Sequence, residues 1–231
     1  MSELDAMIPS ESTAPRYAII CGSGSSGSAW EPVAKELDAV VLPVPDAADV
    51  PAMADALGPA VAELPRPRVL IGTSLGAMIA LELARETPVD ALILVSAGFG
   101  IAVDPKVLDQ IAAADPGMIE QMARGVVADA DNAEVLAGAR RDFEGCGPRL
   151  LLNHMRVLAS HRPSPPESLP PTFVLWGTQD PGVTLAAHAE LAVRCNAPVM
   201  PVGNAGHMPY LEQPSTTLDW IRTAVRWSDL G

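Results

Sequence analysis

The amino-acid sequence predicts an α/β fold with a mostly parallel sheet of about six strands, helices on both faces and a helical insertion. Two patterns predict this fold. Short, continuously apolar segments alternate with segments of helical pattern, which is typical of parallel strands covered on both faces. The alternation stops over residues 97–162, where only helical patterns occur. A chain of 231 residues, 48% of them hydrophobic, is long enough to bury a full core around such a sheet.

The predicted strands are short apolar runs. Because their apolar residues are continuous, both faces of the sheet are expected to be buried, as in a parallel sheet. The strands are expected at Tyr17–Cys21, Ala39–Leu42, Arg68–Thr73, Ala91–Val95, Thr172–Trp176 and Pro198–Val202.

The predicted helices begin at prolines or at residues that cap helices well. Pro32 falls in the first turn of one helix, and Asp49 is placed to cap the next. Helices that cover the sheet are expected at Trp30–Leu37, Asp49–Leu64, Leu75–Arg85 and about Ser215–Trp227. Helices of the insertion are expected at Pro105–Ala114, Pro116–Ala128, Asn132–Phe143 and Pro148–Ser160.

These elements predict a core of residues 1–96 and 163–231, with residues 97–162 as a helical cap, or lid, over the sheet. The proline-rich stretch 162–171 then leads the chain back in an extended form.

The composition argues against several classes of partner. A net charge of −13 leaves no excess of Lys and Arg for nucleic acid or for an anionic membrane surface. No apolar run approaches the ~18 residues of a membrane span, and residues 1–16 lack the features of a secretory signal.

Three cysteines without a C-x-x-C predict a reducing, cytoplasmic location without disulfides or zinc, and the four histidines lack metal-ligand spacing. The sequence therefore predicts no metal and no cofactor.

The segment Gly72–Gly76, Gly-Thr-Ser-Leu-Gly, joins a predicted strand to a predicted helix. A G-x-S-x-G at such a junction is a sharp turn that strains the serine and exposes its Oγ above the sheet. Ser74 is therefore the candidate nucleophile. Because the pentapeptide also occurs by chance, the prediction depends on partners further along the chain.

Two such partners follow later strands. Asp180 lies in the loop after the predicted strand 172–176, and His207 lies in the loop after the predicted strand 198–202. The carboxyl ends of parallel strands meet at one edge of the sheet, where the sites of open α/β sheets are found. A serine nucleophile needs a base, and the base needs an orienting carboxylate, so Ser74, Asp180 and His207 are predicted to form a catalytic triad.

Four segments of the chain resemble α/β-hydrolases of the esterase and C–C hydrolase branch: Cys21–Trp30, Gly72–Ala77, Leu175–Pro181 and Gly206–Pro214. The resemblance implies that Ser74 is the nucleophile, that His207 is the general base and then the general acid, and that Asp180 orients His207. It also implies an oxyanion hole made by the backbone N–H groups of Ser23 and Leu75.

The chain departs from this family in three places. Cys21 stands where the family usually has a histidine that supports the oxyanion loop, which implies that the loop is held differently. Residues 1–16 are too short for the antiparallel hairpin that usually opens the fold, so a six-stranded core is expected. The stretch Val41–Asp46 lacks the usual G-x-G-x-S loop, which leaves that rim of the site open or differently built.

The loop Gly22–Gly27 also reads as G-x-G-x-x-G, with Asp46 about 20 residues further on, which is a pattern of dinucleotide sites. In such a site the helix begins near the second glycine. Pro32 would then lie inside the helix, at a cost of ~3 kcal/mol. An oxyanion loop with a later helix start avoids this cost, and we favour that interpretation.

The sequence leaves three functions open. The first is a cofactor-independent serine hydrolase that cleaves small-to-medium apolar carboxylic esters through an acyl-enzyme on Ser74, with a small acyl compound as its partner. The second uses the same triad for C–C cleavage of a diketone, or for thioester, lactone or peracid chemistry. The third is a non-catalytic ligand-binding module on this scaffold. The methionines of the insertion either line an acyl pocket or pack in a core: Met118, Met122 and Met155.

Overall fold

The structure of the protein, a computed structural model, describes residues 14–115, 117–164 and 167–230. Three expectations touch residues outside the described part. These are the start of one cap helix at Pro116, most of the segment 1–16 with its missing signal and hairpin, and part of the proline-rich stretch 162–171.

In the described residues, one sheet of six parallel strands has the order β2-β1-β3-β4-β5-β6. This confirms the predicted sheet, and every strand end lies within one residue of its predicted position. The strands are β1 (Arg16–Ile20), β2 (Val40–Leu42), β3 (Arg68–Thr73), β4 (Ala91–Val95), β5 (Thr172–Gly177) and β6 (Val199–Val202).

The helices follow the predicted order, with a short 3-10 turn at Ser28–Trp30 before the first one. The Asp49 carboxylate caps α2 by accepting the Ala52 N–H at 2.9 Å, as its position in the sequence predicts. The helices are α1 (Glu31–Leu37), α2 (Val50–Ala62), α3 (Leu75–Glu86), α4 (Pro105–Ala112), α5 (Met118–Val126), α6 (Ala133–Glu144), α7 (Pro148–Ser160), α8 (Leu185–Arg194), α9 (Pro209–Glu212) and α10 (Pro214–Trp227).

Two of these helices, α8 and α9, are not among the sequence predictions. The sequence does carry a signal for α8, because the Thr184 hydroxyl caps it by accepting the Ala187 N–H at 3.3 Å. No helix in the described part of the chain is both long enough and apolar enough to cross a membrane.

The two faces of the sheet bury separate apolar clusters. Along β1, Ile19 faces the cluster that α1 and α10 cover, and Ile20 faces the cluster that α2, α3 and α8 cover. This follows from the period of two in a strand, which points successive side chains to opposite faces.

The segment between β4 and β5 holds α4 to α7, and we call residues 97–162 the cap segment. Ile111, Met118 and Leu151 form a small apolar cluster within it. Other residues of the cap segment join the clusters on the two faces of the sheet, among them Phe143 and Val157. The division of the chain into a core and a lid stays a prediction.

Because all six strands run parallel, their carboxyl ends lie at one edge of the sheet. Ser74 follows β3 there, Asp180 follows β5 and His207 follows β6. The loop after β1 begins with Cys21 at the same edge.

Candidate active site

Ser74 stands in the turn between β3 and α3, with φ 53° and ψ −114°. A residue other than glycine at positive φ costs on the order of 1–3 kcal/mol, so the surrounding structure must hold it in place. The Ser74 N–H donates to the carbonyl of Val95 on the neighbouring strand at 3.0 Å. The serine is thereby fixed in a strained conformation at the carboxyl edge of the sheet.

The turn requires the two glycines that flank the serine. A Cβ on Gly72 would lie 2.4 Å from the carbonyl oxygen of Gly76, and a Cβ on Gly76 would lie 2.3 Å from the carbonyl oxygen of Cys21. Real Cβ atoms do not approach backbone atoms this closely, so α3 can pack against β1 and β3 only without side chains at these positions.

His207 and Asp180 are joined by a hydrogen bond, with Nδ1 of His207 2.9 Å from Oδ2 of Asp180. The other carboxylate oxygen of Asp180 accepts the N–H groups of Gly182 at 2.8 Å and Val183 at 2.9 Å. The Asp180 side chain is 0% exposed, against 15% for that of His207. Burial by itself would raise the pKa of Asp180, but the hydrogen bond and charge of His207 and the two backbone N–H groups hold it below the usual value.

Glu212 holds the loop that carries His207. Its carboxylate accepts the N–H groups of Gly206 at 2.8 Å and Met208 at 3.3 Å, on either side of His207, and that of Ala128 at 2.7 Å. Burial raises the pKa of Glu212 above its ordinary value, although these three bonds favour the charged form. No sequence pattern predicts this role of Glu212, because its partners are backbone N–H groups.

The loop after β1 lies against Ser74. A Cβ on Gly22 would sit 3.5 Å from the Cβ of Ser74. Among the hydrogen bonds of the described residues, none uses the N–H of Ser23 or that of Leu75 as a donor. Ser23 lines the same cavity as Ser74, and Leu75 is the first residue of α3, where backbone N–H groups have no partner within the helix.

Cys21 is fully buried at the start of this loop. Burial above all, with a smaller contribution from the charge of Asp142, raises the pKa of its thiol to about 12, although Ser25 donates a hydrogen bond. The thiol is therefore neutral and unreactive at physiological pH. At the far end of the loop, Trp30 is fully buried and stacks on Tyr210 with the ring centres 3.9 Å apart.

Ser74 and His207 face a common cavity of about 380 Å³, within the range of about 300–1,000 Å³ usual for small-molecule sites. The cavity wall is mainly apolar, and the cap segment supplies most of it: Ile101, Val103, Val107, Met118, Met122, Val126, Phe143, Met155 and Leu158. Two acidic residues, Asp104 and Asp142, are also among the residues that line the cavity, whereas no Lys or Arg of the described residues is.

The sequence matches the alpha/beta hydrolase family over residues 18–220. The chain belongs to this family. No curated protein sequence matches it.

Solved structures of other α/β-hydrolases share this fold. The chain is similar to an esterase from Exiguobacterium antarcticum, with a TM-score of 0.81, 13% identity, and 92% of each chain covered. It is also similar to an enol-lactonase from Burkholderia xenovorans LB400, with a TM-score of 0.79, 19% identity, and 92% of each chain covered. The type II thioesterase BorB from the borrelidin biosynthetic cluster gives a TM-score of 0.69 at 22% identity over 95% of this chain and 96% of that one. At these identities the similarity shows the fold alone.

In this α/β-hydrolase the residues predicted to form the site lie at one edge of the sheet. The structure joins His207 to Asp180 by a hydrogen bond and places Ser74 in the same cavity as His207. Within residues 14–115, 117–164 and 167–230, no three His, Cys, Asp or Glu side chains are grouped as metal ligands would be. The helix α1 begins at Glu31, with Pro32 in its first turn, so no helix begins near the second glycine of Gly22–Gly27, as a dinucleotide site would require.

Proposed function

We propose that the protein is a serine hydrolase that cleaves small-to-medium, uncharged, apolar carboxylic esters through an acyl-enzyme on Ser74. One observation carries the proposal. A serine held at positive φ in a strand-to-helix turn shares a cavity with His207, which is bonded to the buried carboxylate of Asp180. This combination supports a nucleophile with its base and the acid that orients the base.

In the proposed reaction, the Oγ of Ser74 bonds to the ester carbonyl carbon while its proton passes to Nε2 of His207. The carbonyl oxygen takes the displaced electron pair, and the N–H groups of Ser23 and Leu75 donate to this oxyanion. The carbonyl then re-forms as the C–O bond of the ester breaks, and His207 returns the proton to the departing alkoxide. Water repeats the sequence on the acyl-enzyme, which releases the carboxylic acid and restores the hydroxyl of Ser74.

Asp180 has two roles in these steps. By accepting from Nδ1 of His207 it leaves Nε2 as the nitrogen that takes the proton from Ser74. Its negative charge also stabilises the imidazolium that forms. The steps require no cofactor and no metal.

The wall of the cavity supports the substrate class. Apolar side chains from the cap segment surround the space next to Ser74, which favours an apolar acyl group. The carboxylates of Asp104 and Asp142 and the absence of lining Lys or Arg among the described residues oppose a negatively charged acyl group.

The first test is pre-steady-state hydrolysis of p-nitrophenyl acetate, butyrate and octanoate by the wild type and by Ser74→Ala. We expect a burst of p-nitrophenol equal to the enzyme concentration, absent in Ser74→Ala, and labelling of Ser74 by a fluorophosphonate. Ser96→Ala is the matched control, because Ser96 also follows a strand at positive φ and its buried Oγ has no partner among the described residues. No burst and no Ser74-dependent turnover would contradict the proposal.

A second candidate keeps the triad and changes the bond that is broken. Solved structures with the same fold include an enol-lactonase and a thioesterase, which makes lactones and thioesters the first alternative substrates to test. The loop Cys21–Trp30, similar to that of C–C hydrolases, adds a vinylogous diketone to this set. Product analysis on these substrates distinguishes the candidates, and a folded protein that no fluorophosphonate labels would favour the non-catalytic module.

We also propose a cytoplasmic location. The three cysteines, Cys21, Cys146 and Cys195, are all unpaired, which supports a reducing compartment.

A further inference from the structure

The loop Gly22–Trp30, which we call the oxyanion loop, lies between the edge of the sheet and the cap segment. On one side it contacts Ser74 through Gly22. On the other side it contacts α6 and α7. Gly24 is at φ 71°, and a Cβ there would lie 2.4 Å from Cδ1 of Leu151 on α7. The cap segment therefore packs directly on the loop that carries Ser23.

His154 on α7 bonds to the middle of the oxyanion loop. Its Nδ1 accepts the N–H of Gly24 at 3.2 Å, and its Nε2 lies 3.2 Å from the carbonyl oxygen of Pro45. Since the first bond needs a lone pair on Nδ1, the proton must be on Nε2, which donates to Pro45. Burial lowers the pKa of His154, which favours this neutral form. Both ring nitrogens of the buried imidazole are then satisfied.

Asp142 on α6 bonds to the second half of the oxyanion loop. Its Oδ1 accepts the hydroxyl groups of Ser26 and Ser28, each at 3.2 Å, and the N–H of Ala29 at 3.1 Å. The N–H of Ser26 donates in turn to the backbone carbonyl of Asp142 at 3.0 Å. The residue is 0% exposed, so these bonds form away from bulk water, where charge-assisted hydrogen bonds are strong.

We propose that His154 and Asp142, both in the cap segment, are positioning residues that hold the oxyanion loop so that the N–H of Ser23 points to the oxyanion. Gly24 follows Ser23 directly, and its bond to His154 fixes the peptide next to the proposed donor. Asp142 bonds to the loop at Ser26 and Ala29, three and six residues after Ser23. The inference rests on the proposed function, because an oxyanion hole matters only if Ser74 attacks a carbonyl.

Two substitutions of His154 separate its two bonds. The side-chain oxygen of Asn reaches the position of Nδ1, so His154→Asn keeps an acceptor for Gly24. The longer Gln reaches the position of Nε2, so His154→Gln keeps a contact with Pro45 and loses the acceptor for Gly24. Asp142→Asn keeps an accepting side-chain oxygen, and Asp142→Leu removes it with a side chain of similar shape to that of Asp.

Asn153→Ala is the matched control for His154. Asn153 precedes His154 on α7 and bonds to Asp46 and to the Ala47 carbonyl, at 2.8 and 2.9 Å, without touching the oxyanion loop. Its loss removes two hydrogen bonds between α7 and the stretch at Asp46 and Ala47, and leaves the bond of His154 to Gly24 intact.

Loss of one oxyanion donor lowers kcat by roughly 10²- to 10³-fold, and a displaced donor costs a part of that. We expect His154→Gln and Asp142→Leu to lower kcat for p-nitrophenyl butyrate by about ten- to a hundredfold with little change in KM. The Ki of butylboronic acid, whose adduct with Ser74 mimics the oxyanion, should rise in parallel. In His154→Gln the affinity for p-nitrophenyl butyl ether, which has no carbonyl, should stay unchanged, and the kcat of His154→Asn and of Asn153→Ala should stay near that of the wild type. Asp142→Asn keeps the accepting oxygen but loses the charge, so its kcat should fall less than that of Asp142→Leu.

The outcomes distinguish this inference from the proposed function. If the wild type turns over ester and His154→Asn loses as much kcat as His154→Gln, the inference is overturned and His154 has a purely structural role. The same holds if the affinity of His154→Gln for the ether falls in parallel with its kcat. A folded His154→Gln with wild-type kcat would overturn it as well. If the wild type shows no Ser74-dependent turnover, the proposed function fails, and the inference fails with it.

Discussion

The Nδ1 of His207 lies 2.9 Å from the Oδ2 of Asp180, and the two residues come from loops that follow neighbouring parallel strands. The carboxylate is closed off from solvent, and the imidazole reaches the cavity that Ser74 lines. Because Nδ1 bonds to Asp180, Nε2 is the nitrogen of His207 that the proposed function assigns as the base.

Asp180→Asn should lower kcat for p-nitrophenyl butyrate on the order of 10³- to 10⁴-fold, because an amide that donates to Nδ1 favours the wrong tautomer of His207. KM should change little, since Asp180 is buried and is not among the residues that line the cavity. Asp115→Asn is the control. The carboxylate of Asp115 accepts the N–H of Gly117, two residues further on, at 2.8 Å, and the carboxylate of Asp180 accepts the N–H of Gly182 in the same way. A kcat within tenfold of the wild type would contradict the role of Asp180.

Gly76→Ala should destabilise the fold by about 3 kcal/mol, the upper part of the range for overpacking, because its Cβ would meet the carbonyl oxygen of Cys21 at 2.3 Å. Urea unfolding measures the change. Gly125→Ala within α5 is the control, since no atom lies within 4 Å of the position of its Cβ. We expect that variant to be neutral or up to about 1 kcal/mol more stable, because alanine favours a helix. Equal stabilities of the two variants would contradict the tight contact.

Stability should rise as the pH rises to about 7, just above the histidine pKa of the unfolded chain, and then level off. Burial lowers the pKa values of His154, His161 and His188 from 6.5, so in this range the unfolded chain binds more protons than the folded protein. The stabilisation by these histidines is complete above their pKa in the unfolded chain. It is lost as the pH falls through their lowered pKa values in the folded protein. Glu212, whose pKa is raised from 4.5, acts in the opposite direction at the acid end of the range.

Thermal unfolding as a function of pH measures this dependence in the wild type and in His188→Asn. His188 is fully buried, and its Nδ1 lies 2.9 Å from the carbonyl of Thr184. The variant should show a shallower rise with pH, whatever its absolute stability. A slope equal to that of the wild type would show that His188 does not resist protonation in the folded state.

The enzyme should prefer p-nitrophenyl butyrate over the p-nitrophenyl ester of succinate, which carries a free carboxylate, by at least about tenfold in kcat/KM, or 1.4 kcal/mol. The residues that line the cavity include two acids of the same charge as that carboxylate, Asp104 and Asp142. Asp104→Asn keeps the helix cap and removes one charge, so the preference should narrow. Asp109→Asn, on the same helix but outside the cavity lining, should leave it unchanged. Equal rates on both esters would contradict an electrostatic preference.

The strands and the residues of the candidate site could be predicted because their signals are local. A short apolar run bounded by turn residues is typical of a buried parallel strand, and Gly72–Gly76 carries the geometry of its turn in the pentapeptide itself. The missed helix α8 also had a local signal in its cap at Thr184. The role of Glu212 had none, because it accepts from backbone N–H groups that every residue except proline carries.

The sequence by itself determined the order of strands and helices, the strained turn at Ser74, and the polar residues that follow β5 and β6. The resemblance to the family, with Cys21 in place of the usual histidine, implied in addition that the oxyanion loop is held differently. The tertiary structure alone decided what holds the loop, since Gly24 and His154 are 130 residues apart and Ala29 and Asp142 are 113 apart. Contacts over such distances depend on how α6 and α7 pack on the sheet edge, and helix packing is set by the combined shape of many side chains rather than by any local pattern.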